Sequence, residues 1–454
     1  MSLPPRSEKR KAGMPKTAEQ CRCEALEARR LFDVSTMQVT IDSKIVEVQS
    51  TFANSIGVTF KFHDCNGTID FVGDNLAQQS DGKRITVTGT PASLDSISLS
   101  NTTDASTISV HTAKKQVIDL PNFVSTGPMK LIDLLGTNLT DQMNILAAPK
   151  LILGNGQQAN ITISDAPGVP NCSIKGNSFT DTQLSTDQPI SSFKVEQWVG
   201  SNASINAGVI LKLTAGVVNG DITLGLTPST AQLLKSANVD TIGPGTWTVN
   251  GAVGSIKTFS TDSGWTGIFG RLDHMSVKGT ASGEIDAGSM QDFKVGGDML
   301  NMNLGLTDPF VAGTWAINSI KVTGSVINSN IDALNSVRSF TTESFNGSKL
   351  FVGLNGPTLP TETGDFTNSA ELRSAKIGGR RAAQGFVNSE LTAPTMGTLV
   401  IGGLTVSQSP EIVTKEIASL SVLPVIGKLF KAKHVTQESD LIVLLQPTII
   451  IPAE

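Results

Sequence analysis

The 454-residue chain contains no tyrosine, and aromatic residues make up only 5% of it. Platforms of stacked aromatic side chains, which bind single-stranded nucleic acids, are therefore not expected. Charged residues are scarce at 17%, and the net charge of −5 gives no indication of a nucleic-acid partner. No run of about 18 apolar residues is present, so no membrane-spanning helix is predicted. The N-terminus shows no apolar segment typical of a secretory signal peptide.

Cysteine and histidine are also rare, with four of each. The cysteines are Cys21, Cys23, Cys65 and Cys172, and their spacing fits no zinc-binding pattern, so free thiols and no cofactor are expected. The segment His63-Asp64-Cys65 is the candidate for nucleophilic catalysis, but neighbouring residues on a strand point to opposite faces. No glycine-rich nucleotide-binding loop is present either. The sequence thus predicts a protein that is not an enzyme.

Glycine, by contrast, is abundant at 43 residues, and apolar residues reach 39%. Together with frequent Asn, Ser and Thr, this composition favours strands joined by tight turns, and the length exceeds one ordinary domain. A mainly β protein of several units is predicted. One exception is Met129–Leu139, whose apolar residues recur at helical spacing and predict a short amphipathic helix.

Residues 1–33 are polar and basic, and we expect a disordered or targeting leader there. Within it, Cys23–Phe32 resembles the "LE-x-R-x-L" leader found near the start of many planctomycete surface proteins. A solvated charged helix is the alternative interpretation of this segment.

Two further segments have the pattern of β-hairpins. In 144–163, alternating apolar residues flank Gly154-Asn155-Gly156, which can supply the positive φ angles of a tight turn. In 207–226, two alternating runs flank Asn219-Gly220-Asp221 in the same way. Between them, 164–202 is rich in loop-forming residues.

Residues 235–385 contain short phrases that recur at roughly 20-residue intervals. Each combines a β-branched or apolar core with Lys and Gly, and four of the five end in Gly. The phrases are Gly254–Lys257, Met275–Gly279, Phe293–Gly297, Ser319–Gly324 and Ala375–Gly379. This pattern indicates a β-solenoid or a stack of hairpins, in which each repeat buries an apolar row only against its neighbours. A β-sandwich with Gly-rich turns is the alternative.

Four segments, in the same order, resemble the secretin domain of bacterial type II and III secretion and type IV pilus channels. Gln38–Val58 is similar to the opening "V-x-I-x-A-x-I-V-E-V … F-A-x-x-L-G-V", and Met143–Ala159 to "N-V-L-S-x-P-x-L … N-x-Q-x-A". Ala207–Leu224 resembles "V-G-V-x-L-x-V-x-P … V-x-L". The closing segment combines Gly397–Leu404, Leu423–Phe430 and Asp440–Pro447. The family's "P-x-L-G-D" turn is replaced by Glu416–Leu420, and its final "P-R-I" by Pro447–Ile449.

The resemblance implies secretin-type sheets that several subunits join into one barrel. Residues 34–230 and 386–454 would form the two parts of this domain, with 235–385 as a Gly-rich insertion. The partners implied are copies of the same chain in a ring, outer-membrane lipid and secretion-machine components. The resemblance also implies a gate within 165–204, for which the candidate residues are Pro167, Gly168, Pro170 and Gly176.

The same resemblance assigns structural roles to eight family-motif residues: Pro149, Gly402, Gly403, Pro424, Gly427, Leu429, Phe430 and Pro447. The implied function is a subunit of a multimeric outer-membrane channel for protein secretion. The leader motif and the Gly-spaced repeats leave a second class open, a secreted or cell-surface β-solenoid with a structural or adhesive role. The strand at Gly397 separates the two, because it either pairs with 207–226 and 441–451 or stacks on 375–379.

Overall fold

The computed structural model describes residues 35–52, 55–113, 116–309, 311–354, 366, 369–378, 385–402, 404–407, 411–414 and 444–445. Every extended regular element in these ranges is a β-strand, and no α-helix occurs among them. Within the same ranges, no helix is long and apolar enough to cross a membrane. The mainly β fold predicted from composition is confirmed.

The first half of the chain contains seventeen strands. They are β1 (Ser35–Ile41), β2 (Glu47–Thr51), β3 (Gly57–His63), β4 (Asn66–Ser80), β5 (Arg84–Ser100), β6 (Thr107–Thr112), β7 (Ile118–Pro128), β8 (Leu131–Ala147), β9 (Lys150–Gln157), β10 (Asn160–Ile163), β11 (Cys172–Lys175), β12 (Ser178–Thr180), β13 (Gln183–Thr186), β14 (Ile190–Val199), β15 (Ser204–Ala207), β16 (Ile210–Val218) and β17 (Asp221–Leu224).

The second half contributes the remaining strands. They are β18 (Gln232–Ile242), β19 (Gly245–Thr261), β20 (Trp265–Val277), β21 (Ala281–Ala287), β22 (Met290–Val295), β23 (Met299–Leu306), β24 (Ile317–Val322), β25 (Ser325–Ile327), β26 (Asn330–Ala333), β27 (Phe340–Thr342), β28 (Ser344–Asn346), β29 (Lys349–Val352), β30 (Glu371–Ile377), β31 (Phe386–Val387), β32 (Glu390–Ala393), β33 (Thr395–Ile401), β34 (Leu404–Ser407), β35 (Glu411–Thr414) and β36 (Leu444–Leu445).

Most of these strands stack in parallel as the coils of a solenoid. Sheet 1 runs through β14, β16, β18, the second half of β19, the second half of β20, β22, β24, β27, β30 and β33. Sheet 2 runs through β13, β15, β17, the first halves of β19 and β20, β21, the second half of β23, β26, β29 and β32. Each coil supplies one strand to each sheet, as expected for a repeat that cannot bury its apolar face alone.

The core of the solenoid is a set of apolar ladders in which equivalent residues of successive coils lie in register. The longest begins at Phe62 in β3, continues through sheet 1 and ends at Leu399 in β33. Its members are Phe62, Ile108, Ile132, Leu151, Ile174, Phe193, Leu213, Ala237, Ile256, Met275, Phe293, Ile320, Phe340, Ala375 and Leu399. All are at most 4% exposed. Burial of this row is the main stabilising term, at roughly 25 cal/mol per Å² of apolar surface.

The N-terminal end of the stack is antiparallel. There β4 pairs with β1 and β5, and β3 pairs with β2 and β6, all antiparallel. Parallel pairing begins with β2–β5 and continues with β5–β7 and β6–β8. This antiparallel end pairs the edge of the first coils, which would otherwise expose unpaired backbone groups.

The solenoid predicted for 235–385 is confirmed, and it extends well beyond that range in both directions. Parallel pairing already joins β7 to β8 and continues to β33. The sheets also pass without a break across 230–235, because β16 pairs with β18 and β17 pairs with β19. The boundary between insertion and first domain part is therefore not visible in the strand pairing.

Two predicted hairpins are wrong. Strand β9 pairs in parallel with β8, β11 and β12, and β16 and β17 pair with neighbouring coils rather than with each other. The turn signal Gly154-Asn155-Gly156 lies inside β9. A Cβ atom on Gly154 would lie 2.1 Å from the Thr137 carbonyl oxygen, so glycine is needed there for close packing, not for a turn.

The predicted helix at Met129–Leu139 is also wrong, because Leu131 begins strand β8. Strand β8 loses its regular register against β9 between Leu134 and Asn138. Leu134 and Leu139, which lie five positions apart on either side of this irregularity, are both buried, whereas Leu135 is 46% exposed. The resulting spacing of leucines imitates one face of a helix.

Candidate functional site

The C-terminal end of the solenoid is where the pairing direction changes. Strand β33 stacks in parallel on β30, with Ala375 opposite Leu399. The Gly397 strand thus stacks on 375–377, and the alternative pairing with 207–226 is wrong. Beyond it, β34 pairs antiparallel with β33, β35 antiparallel with β32, and β36 antiparallel with β35. Both sheets of the solenoid are thereby extended by antiparallel strands.

This end carries the last described strands of both sheets. Within the described residues, β34 pairs only with β33, and β36 pairs only with β35. An edge strand offers a row of unpaired N–H and C=O groups that a further strand or another chain can take up. The C-terminal end is accordingly the part of the described structure best suited to β-sheet assembly.

Of the predicted motif residues, Gly402 lies at this junction. Its φ of 58° and the pairing of Ile401 with Leu404 place it in the tight turn between β33 and β34, and positive φ favours glycine there. Pro149 lies between β8 and β9, where its carbonyl oxygen accepts a 2.8 Å hydrogen bond from the Ser173 N–H. The other six lie outside the described residues: Gly403, Pro424, Gly427, Leu429, Phe430 and Pro447.

The predicted gate segment is mostly built into the solenoid. The prediction that 164–202 is rich in loops is wrong for strands β11–β14, which pair with neighbouring coils. Pro167, Gly168 and Pro170 lie in the connection between β10 and β11, where the Pro170 carbonyl oxygen accepts a 2.7 Å hydrogen bond from Gln188 Nε2. Gly176 lies between β11 and β12, where a Cβ atom would be 2.4 Å from the Phe179 ring. The gate role of these four residues stays a prediction.

The candidate nucleophile is unsuited to catalysis. His63 is exposed at the end of β3, whereas Cys65 is 3% exposed and faces the core. Burial raises the pKa of the Cys65 thiol to about 11 and that of Cys172 to about 12, so neither forms a thiolate at neutral pH. Among the described residues, no three or more His, Cys, Asp or Glu side chains gather in a metal-binding arrangement.

One feature of the outer surface was not predicted from the sequence. Six lysines, four of them from the repeated phrases, lie in one outward-facing row on sheet 1, which we call the lysine ladder. Its members are Lys175, Lys194, Lys257, Lys294, Lys321 and Lys376, interrupted by Thr214, Asn238, Ser276 and Thr341. The sequence contained a signal for this row, because in four of the five repeated phrases a lysine directly follows the buried core residue.

The described residues define a repeat-built structural scaffold that ends in antiparallel strands. Comparison with family models gives a match for residues 358–451 to Secretin, described as bacterial type II and III secretion system protein. The chain therefore carries a bacterial secretin domain, as the sequence resemblance predicted. Strands β30 to β36 lie within the matched range, whereas the first three of the four resembling segments lie outside it. Searches of curated proteins and of solved structures gave no match.

Secretins in general are channels, not enzymes, and they form multimeric rings in the outer membrane. In this chain the matched segment includes the last solenoid strands, β30 to β33. The change from parallel to antiparallel pairing at β33–β36 falls inside it.

Proposed function

We propose that this protein is a subunit of a multimeric outer-membrane channel for protein secretion. The observation that carries the proposal is the coincidence of the secretin match at 358–451 with the antiparallel extension β34–β36. Copies of the chain complete these edges by pairing with one another, because an unpaired strand edge is a template for a neighbouring chain. Residues 386–454 supply the channel-forming part, and the solenoid supplies a rigid body attached to it.

The solenoid is suited to hold the subunits apart at a fixed distance. Its coils are locked in register by the ladder from Phe62 to Leu399, so the body does not bend freely between its two ends. The connection Pro167–Pro170 is a surface feature of this body. In the proposal it retains the gating role that the family resemblance implies, facing the lumen of the ring.

The proposal is tested by reconstituting the full chain into liposomes that contain a trapped dye. Val413 lies inside β35 opposite Leu391, so Val413→Pro removes an N–H from the ladder and disturbs the extension. Val413→Thr keeps both the N–H and the β-branched shape, and serves as the matched control. We expect dye release from the natural chain and from Val413→Thr, and loss of release from Val413→Pro.

Two results would contradict the channel. One is an absence of dye release from the natural chain at any protein-to-lipid ratio. The other is release by Val413→Pro equal to that of the natural chain, since the extension would then have no part in the pore.

The stacking of the Gly397 strand on 375–377 and the length of the solenoid favour a second candidate, a secreted or cell-surface structural or adhesive protein. Parallel coils run from β7 to β33, which is most of the described chain. This candidate predicts exposure of the solenoid outside the cell without membrane permeability. Protease accessibility of β18–β24 on intact cells, together with failure of the dye-release assay, would favour it over the channel.

A further inference from the structure

The lysine ladder is not explained by the fold. All six lysines are exposed, and Lys175–Lys194 and Lys294–Lys321 are direct cross-strand neighbours. Like charges in adjacent strands, about 4.8 Å apart, destabilise a sheet. Among the described residues, only Lys294 of the six has an ion-pair partner, Asp292 at 3.7 Å. Neutral side chains at these six positions would therefore stabilise the sheet at least as well as the lysines do.

Sheet 2 carries the opposite charge on its outer face. Glu284 and Asp286 project outward from β21 and are exposed, and Asp332 from β26 lies beside them. These three residues, which we call the acidic patch, border a shallow depression of about 320 Å³. Gly305 lies between Asp286 and Asp332 in the same ladder and leaves this space open. Burial raises the pKa of Asp332, and the positive charge of the nearby Lys349 acts against this rise.

The two charged features lie at the same height of the stack. Strands β21 and β22 belong to one coil, so Glu284 and Asp286 are level with Lys294. The next coil contains β23 and β24, so the depression at Gly305 is level with Lys321. Because both sheets enclose one core, their outer faces lie on different sides of the solenoid.

Each face also carries an exposed apolar residue near its charges. Phe259 is 61% exposed and lies two residues beyond Lys257 on the lysine side. Ile268 is 43% exposed and pairs in register with Asp286 on the acidic side. Apolar anchors surrounded by charged residues are typical of protein interfaces.

We propose that the lysine ladder of one copy docks on the acidic patch of the next, so that the solenoids stand side by side in the assembly. This rests on the ring proposed above and names the surfaces that join its subunits. The interface is heterologous, and because the two faces are level, it adds little rise per subunit. Such an interface closes into a ring instead of growing as a helix.

The two surfaces differ in length. The lysine ladder runs over ten strands, roughly 43 Å at about 4.8 Å per strand, whereas the acidic patch runs over the three strands β21, β23 and β26, roughly 10 Å. The patch therefore meets only about two or three lysines at a time, and such a small contact is typical of weak association. Exposed ion pairs are individually weak, so we expect association to weaken as ionic strength rises.

The test uses the full chain and two charge-reversal variants, Lys294→Glu/Lys321→Glu and Glu284→Lys/Asp286→Lys. Association is measured by sedimentation velocity in low and high salt. Each variant alone should associate about tenfold more weakly than the natural chain, because like charges then face each other. A mixture of the two variants should regain association, since each reversed face meets its reversed complement. Lys44→Glu/Lys130→Glu, which reverses two exposed lysines at the N-terminal end, should associate like the natural chain.

Three outcomes would overturn the proposal. Both variants could associate as the natural chain does, or the mixture could fail to regain association. The lysine variant alone could lose association, together with binding to vesicles of anionic lipid, while the acidic variant is unaffected; the ladder would then bind lipid.

The dye-release assay separates this inference from the channel. Salt-sensitive association without dye release would contradict only the channel, and dye release unaffected by charge reversal would contradict only the docking.

Discussion

The backbone N–H of Ser329 donates a 3.1 Å hydrogen bond to the hydroxyl of Ser348, one coil further along the solenoid. The Ser348 N–H repeats this contact with Ser389 at 3.1 Å. All three serines are at most 1% exposed, so these hydroxyls satisfy N–H groups that water cannot reach. These buried hydrogen bonds form a serine ladder that links the last coils of the solenoid. Its third member, Ser389, lies within the range matched to the secretin family.

Replacing the middle member of this ladder should be costly. In Ser348→Ala, the buried N–H of Ser329 loses its acceptor, which costs about 1–3 kcal/mol. We expect the midpoint of urea unfolding to fall accordingly. Ser344→Ala, in the same coil, is the control, because the Ser344 side chain is only half-buried. Equal midpoints for the two variants would contradict this role of the ladder.

The apolar ladder of sheet 1 makes a second prediction. Phe293 is 0% exposed and lies between Met275 and Ile320. Phe293→Ala should destabilise the chain by about 3–5 kcal/mol through lost burial and a cavity. Phe259→Ala, with a ring that is 61% exposed, should change stability by less than about 0.5 kcal/mol. Chemical denaturation followed by tryptophan fluorescence measures both, and similar losses would argue against the register of the ladder.

A third prediction concerns a corner of the solenoid. Gly245 has a φ of 138°, and a Cβ atom there would lie 2.4 Å from the Gly220 carbonyl oxygen of the preceding coil. Gly245→Ala should therefore destabilise the fold by about 1–3 kcal/mol. Gly208→Ala is the matched control, since its Cβ atom would meet nothing within 4 Å. The thermal unfolding midpoint should fall only for Gly245→Ala, and an unchanged midpoint would contradict the close approach of the two coils at this corner.

The buried thiols predict a fall in stability at alkaline pH. Burial raises the pKa of Cys172 from 9.0 to about 12. Above pH 9 the thiol of the unfolded chain ionises while the folded one stays protonated, so stability is constant below pH 9 and decreases as the pH rises toward 12. The contribution is at most about 1.4 kcal/mol per pH unit.

This dependence is measured as the difference between urea midpoints at pH 8 and pH 10.5. Cys172→Ala should show a smaller difference than the natural chain. Cys65 lowers stability in the same direction, but its contribution stops growing near pH 11, because the pKa of the folded Cys65 thiol is raised only to about 11. Identical pH differences for the natural chain and Cys172→Ala would show that Cys172 is not buried as described.

Much of this architecture could be predicted from sequence, because solenoid coils repeat. The phrases around Ile256, Phe293 and Ile320 place an apolar core residue and a lysine at matching positions of successive coils. What failed was the direction of pairing. Alternation of buried and exposed residues is the same in parallel and antiparallel strands, so Ile210–Val218 and Asp221–Leu224 resemble a hairpin although each pairs with other coils.

The surface features could not be predicted for a related reason. Glu284 and Asp332 are 48 positions apart by residue number, and only the length of the intervening coils brings them to the same depression. Coil length varies along the solenoid, since Leu272 pairs with Met290 but Met290 pairs with Ile317. A fixed period read from the sequence therefore misaligns such outward-facing residues.

Electron microscopy of the full chain purified in detergent would show whether copies of this protein assemble through the C-terminal end. We expect closed rings of many subunits, in which the solenoids stand side by side and β34–β36 of neighbouring copies meet at one end. Particles that remain single solenoids at all concentrations, with those strand edges unpaired by any neighbour, would contradict this assembly.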